Sequence, residues 1–170
     1  MDLWDQRVEP YEAALDGLSS EVLGNLALDV IEATPPLFGH SLDNFFPPSH
    51  AELIKSAFTL RRDHPEGWQS DSAFATEFLD RYDALPSVPV RPAVGPFVMA
   101  LVRLFEAPPR SITADDVMEI HSSCYEAVLM AHLTGRVTIE DELNSDQCVA
   151  AIDLQIRLIE GYRDGAGTTS

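Results

Sequence analysis

His121 and Cys124 stand three residues apart, a spacing that puts both side chains on one helix face, and Cys148 follows within reach of the next helix. Two thiolates and an imidazole make a ligand set for zinc with one position left open, and a thiolate beside an imidazole is also a nucleophile with its base. Both cysteines fall on apolar stripes, however, where a cysteine most often behaves as a small hydrophobe. Packing is therefore the preferred reading, and no metal and no cofactor is expected. His40, His50 and His64 lie in or beside loops, where a ligand-binding pair competes with the ordinary placement of polar residues on a surface. The other signatures of chemistry are missing: no G-x-S-x-G, no G-x-x-x-x-G-K, no G-x-G-x-x-G, no H-E-x-x-H, and no Glu three residues before a His.

Carboxylates supply the more informative pattern. Acids outnumber bases 28 to 11, for a net charge of −17, which disfavours a direct grip on nucleic acid phosphates. Residues 1–54 carry ten acids and only Arg7, residues 55–110 balance at seven of each, and residues 111–160 carry ten acids against Arg136 and Arg157. The middle of the chain is neutral and both flanks are acidic. Excess charges spread evenly over a protein of this size would stand about 22 Å apart, beyond a screening length of about 8 Å, so only a cluster can steer a partner. Asp2, Asp5, Glu9, Glu12 and Asp16 recur at steps of three, four, three and four, and would form one ridge if a single α-helix continued through Pro10. A solvated helix face with acids favoured in its first turn is the competing explanation. Glu140, Asp141 and Glu142 form a second run, at a helix start where acids are expected in any case. Arg61, Arg62, Asp63 and His64 read as cations at a helix end.

The elements that must carry these residues are helical. Trp4, Val8, Tyr11, Leu15 and Leu18 make one apolar stripe, interrupted by Pro10, which either kinks the helix or starts another. A helix over 20–33 ends before Pro35 and Pro36. A long Pro-bounded loop then carries Phe38, Phe45 and Phe46, which either fold back onto the helices or stay exposed as anchors for a partner beside the acidic ridge. Ser49 with Glu52 has capping-box spacing and opens a helix to about residue 62; Asp71 caps another. The stretch 85–96 holds four of the twelve prolines and must be irregular or polyproline-like, dividing the chain near its middle. Pro96 suits the first turn of an apolar, central helix. Thr113 with Asp116 and Thr138 with Asp141 open the last two, the final one running to about Tyr162 with Asp146, Asp153, Arg157, Glu160 and Asp164 along its wet side.

These readings predict an all-α fold, an irregular single-domain bundle of six or seven helices with Pro-rich loops, occupying residues 1–164, with a disordered tail at 165–170. The most apolar stretch, 94–105, is too short to span a membrane and contains Arg103, so no membrane partner is expected. The opening residues carry two acids before the first Arg and lack an apolar run, which predicts a cytoplasmic location. Ten of the eleven bases are Arg, a bias that suggests a GC-rich, bacterial genome. The functional expectation is a non-enzymatic acidic protein that binds a basic protein partner, as an inhibitor or a toxin-neutralising immunity protein would, through Asp2, Asp5, Glu9, Glu12, Asp16, Phe45 and Phe46. An enzyme or small-ligand binder with an inter-helix His/Cys pocket, possibly zinc-loaded, and a structural or regulatory homo-oligomer are the alternatives.

Overall fold

Pro10 has no backbone N–H to give and its ring clashes with the preceding turn, and the chain responds by changing helix type. In the computed structural model, which describes residues 1–107 and 111–167 with side chains through residue 165, helix α1 (Asp2–Arg7) stops short of the proline. A 3₁₀ turn, Glu9–Leu15, then begins with Pro10 in its first positions. One α-helix through the proline, on which the continuous acidic ridge depended, is thus corrected to two pieces of different pitch. Gly17, at φ 84°, makes the left-handed turn into α2 (Ser20–Ala33), which Ser19 caps by accepting from the Val22 N–H at 3.2 Å.

Pro35 and Pro36 end α2 and start a 3₁₀ turn, Pro35–Phe38, followed by the single-turn α3 (Leu42–Phe45). The long loop is therefore wound into short helical pieces. α4 (Pro48–Asp63) begins at Pro48, one residue before the expected cap at Ser49, because proline's fixed φ suits a first helical position where no N–H is needed. Asp71 caps α5 (Ser72–Asp83) as its sequence predicts, accepting from the Phe74 N–H at 2.8 Å. α6 (Val94–Glu106) and α7 (Ala114–His132) form the central pair, with α2 and α9 (Asp146–Gly167) packed on α7. Most of α6 is buried, including Phe97, Leu101 and Leu104, which explains its nearly uniform apolar character.

Both Thr/Asp capping boxes are present, but the second opens only α8 (Ile139–Leu143). The chain breaks at Asn144 and restarts under a new cap, the Ser145 hydroxyl accepting from the Cys148 N–H at 3.3 Å. The break turns Glu142 inward. Among the described residues the protein is all-helical, with nine α-helical segments and no strand, so the bundle has more and shorter pieces than the six or seven expected. They close around one core that runs from Leu3 to Ile159. α9 continues through Gly167, past the expected helix end near Tyr162 and into the tail expected to be disordered, whose remaining residues, 168–170, lie outside the described ones. No helix among the described residues is long and apolar enough to cross a membrane.

Candidate functional site

A 3₁₀ helix has three residues per turn, so Glu9, Glu12 and Leu15 lie along one edge. Leu15 is buried in the core, and this turns Glu12 toward α7 while Glu9 stays exposed. There Glu12 meets Asp115 in the first turn of α7. The Glu12 carboxyl is pushed above the usual carboxylate range, first by a hydrogen bond to Asp115 and then by the charges of Asp115, Asp16 and Glu9. Glu9, Glu12, Asp115 and Glu119 line the walls of an open groove of about 220 Å³, with Trp4, Met118 and Ser122 completing it.

Arg103 pairs with Glu119, but no base pairs with Glu9, Glu12, Asp16 or Asp115 among the described residues. The structure therefore places two of the five sequence-derived carboxylates, Glu9 and Glu12, on the groove beside one that sequence reasoning missed, Asp115; Asp16 adds its charge to Glu12 but does not line the groove. Asp2 and Asp5 are exposed on α1 and do not line the groove. A signal for Asp115 did exist: Asp116 closes the Thr113 capping box and leaves the neighbouring acid with no local task.

The two rings proposed as anchors are inside the protein. Phe45 is 4% and Phe46 is 3% exposed. Phe38 stacks on Phe45 with centroids 4.5 Å apart, and Phe97 of α6 receives Phe38 and Phe46 at 5.5 and 5.4 Å. Burial of this much aromatic surface prevails over exposure, so the reading of Phe45 and Phe46 as exposed contacts is corrected to core packing.

The sulfur and imidazole groups also go to separate neighbours. His121 is fully buried; its Nδ1–H donates to Val117 O at 2.9 Å, since a carbonyl can only accept, and Nε2 has no partner among the described residues. Burial pushes the imidazole down to about 4, keeping it neutral. Cys124 is buried beside Thr34, and burial pushes its thiol up to about 12. Cys148 is buried against Tyr125 and Ser145, with its thiol likewise raised by burial. Neither presents a thiolate, the form that binds metal or attacks a substrate. No group of three His, Cys, Asp or Glu side chains among the described residues is placed to hold a metal ion.

Arg61 is no free cationic patch either. It bridges from α4 to Asp29 at 2.5 Å and Glu32 at 2.9 Å, both on α2, while Tyr162 of α9 donates to the same Asp29.

Around His121 the interior is unusually polar. Glu142, 1% exposed, accepts from the Leu3 N–H at 3.0 Å and from the Tyr125 hydroxyl at 3.0 Å. The amide of Gln155, also buried, accepts from the Trp4 indole at 2.9 Å and donates to the His121 carbonyl at 2.9 Å. These bonds hold α1 and the turn after it in place and so set one wall of the acidic groove. Sequence reasoning missed Glu142, because nothing in an acidic run at a helix start marks which acid faces inward. No protein-family model, no curated protein and no solved structure matches this chain, so the groove is read from its own geometry.

Proposed function

We propose that the protein is a non-enzymatic binding module whose groove carboxylates receive a basic surface of another protein, as an inhibitor or a toxin-neutralising immunity protein would. The observation that carries this reading is the groove itself, whose walls bring Glu9 and Glu12 together with Asp115, acids from distant parts of the chain that pair with no base among the described residues. Like charges at such range repel, and a proton shared between them relieves the repulsion at the cost of a raised pKa. A guanidinium or ammonium group entering the groove relieves it better. It gains two carboxylates at once and favours the charged form of both.

The mechanism follows from this exchange. Unpaired acids across the flanks speed encounter with a basic partner, and the groove fixes where its cation docks. A partner that binds nucleic acid would find carboxylates standing where phosphates lie, and its cleft would be blocked. Because a cation beside Glu12 favours its charged form, binding should weaken as pH falls through the raised range of that carboxyl.

The test uses an octa-arginine peptide as the probe, with binding followed by calorimetry at two salt concentrations and two pH values. The triple variant Glu9→Gln, Glu12→Gln, Asp115→Asn is expected to lose about tenfold in affinity, the worth of roughly one charge-assisted contact. A control triple, Glu52→Gln, Glu77→Gln, Asp153→Asn, removes the same charge from exposed positions elsewhere. Equal losses in the two triples would reduce the effect to net charge and overturn the reading.

A further inference from the structure

The segment between α5 and α6 is exposed at every residue from Pro86 to Pro92, and residues 86–90 make no hydrogen bond among those of the described residues. It is tied only at its ends, where the Leu85 N–H donates to Tyr82 O at 3.1 Å and the Val94 N–H donates to Arg91 O at 3.0 Å. Prolines stand at 86, 89 and 92, a spacing of three. Each proline fixes its own φ near −65°, and each residue before a proline is driven from helical angles toward extended ones. Leu85, Val88 and Arg91 are those residues. Of the eight positions 85–92, only Ser87 and Val90 are free of both constraints, so the backbone is held close to polyproline II before anything binds it.

Polyproline II has three residues per turn and rises about 3.1 Å per residue, which places Pro86, Pro89 and Pro92 along one edge about 9 Å apart. Leu85, Val88 and Arg91 occupy the next edge. Val88 and Val90 are 42% and 44% exposed, two of the most exposed large apolar side chains among the described residues. Arg91 lies over the Phe45 ring, 4.9 Å from its centre, and that ring is fixed in the aromatic cluster. The guanidinium is therefore held at the surface, at the carboxyl end of the proline series. The surrounding stretch, residues 55–110, has no net charge, so an acidic partner is not repelled here as it would be by either flank.

We propose that residues 85–92 are a ligand for a polyproline-binding groove on a partner protein, of the SH3 type. Its aromatic-walled slots take the turns at Pro86 and Pro89, and a carboxylate beside them takes Arg91. Entropy favours such docking, because a segment already extended loses little freedom when bound. The site shares no residue with the acidic groove and does not depend on the function proposed for it. A stiff spacer between two helices accounts for the prolines. The seat over Phe45 accounts for where Arg91 lies, but it leaves the side chain exposed two residues beyond the second proline, where the ligand pattern needs a cation.

The experiment titrates the intact protein into two ¹⁵N-labelled SH3-type domains, one that selects P-x-x-P-x-Arg peptides and one that selects the reverse orientation, Arg-x-x-P-x-x-P, and reads amide shifts in each domain, expecting them in the first. Saturable shifts confined to the groove of one domain are expected, weakened about tenfold or more by Pro86→Ala with Pro89→Ala and about tenfold by Arg91→Gln. Pro65→Ala, an exposed proline in another loop, should leave them unchanged. Helical circular dichroism of each variant excludes unfolding as the cause. No groove shifts with about 1 mM protein, or shifts that survive the double proline variant, would overturn the proposal and leave the segment a spacer.

Discussion

Two coverings lie over the central α6–α7 pair, and they are held by opposite kinds of force. The amino-terminal strap, α1 and its 3₁₀ turn, is latched by polar groups: Leu3 N–H to Glu142, the Trp4 indole to Gln155, and the Tyr11 hydroxyl to Glu160. The Pro-bounded loop of residues 34–47 is held by rings, Phe38, Phe45 and Phe46 against Phe97. Its polar ties to the long helices include the His132 Nε2–H donating to Leu37 O at 2.6 Å and an exposed ion pair from Asp43 to Lys55 of α4 at 2.5 Å. Dispersion and apolar burial respond to volume and scarcely to pH, whereas buried polar contacts respond to protonation and to small displacements. The two coverings should therefore fail under different insults. The strap also forms a wall of the acidic groove, so the covering held by polar contacts is the one tied to the proposed function.

The largest effect is expected on the aromatic side. Phe97 is fully buried between Phe38 and Phe46, and Phe97→Ala removes the ring on which the loop rests. Destabilisation of about 3–5 kcal/mol is expected in urea unfolding, with the pH dependence of stability unchanged. A loss below about 1 kcal/mol would show that the loop does not depend on its rings.

On the polar side the expected effect is a pH slope. In the unfolded chain the His121 imidazole takes up a proton below about 6.5, while in the folded protein burial holds it neutral down to about 4. Between these values the unfolded state binds more protons, so stability falls as pH falls. Over that window the loss from His121 amounts to about 3 kcal/mol. His50, also depressed by burial, adds in the same direction. Urea midpoints from pH 7 to 4 should decline, and His121→Gln should flatten the decline whatever its effect at pH 7. An unchanged slope in that variant would remove His121 as the cause.

The contrast between the coverings also marks how far the sequence could be read. Helix positions followed from periodicity and caps, because each needs only residues within one turn: Asp71, Thr113 and Thr138 all cap as their spacing predicts. The all-α class followed from the same local signals. The aromatic covering was open to two readings, and only packing at Phe97 decides between them. The polar latch was not legible. Glu142 sits in a run of three acids that looks solvated, and its partners Leu3 and Tyr125 are remote in sequence. The groove was half legible. Glu9 and Glu12 followed from spacing, but their geometry rests on a 3₁₀ turn instead of an α-helix, and Asp115 enters through tertiary packing alone.

The finest test of the contrast uses two caps of equal chemistry at different places. Thr138 accepts from the Asp141 N–H at 3.3 Å and opens α8, the five-residue helix that carries Glu142; Thr113 does the same for the 19-residue α7. Each Thr→Ala change should cost about 1 kcal/mol globally. Their local consequences should differ. Leu3 lies in the first turn of α1, where its N–H has no acceptor within the helix, so Glu142 supplies the acceptor that protects this amide from exchange. A helix of one turn has little besides its cap to hold it, and loosening α8 moves the carboxylate away. Amide exchange followed by NMR should therefore speed up at Leu3 more in Thr138→Ala than in Thr113→Ala, with amides beside Phe97 changing equally in both. Equal acceleration at Leu3 in the two variants would mean that the strap opens only with the whole molecule, and that the polar latch is no weaker a covering than the rings.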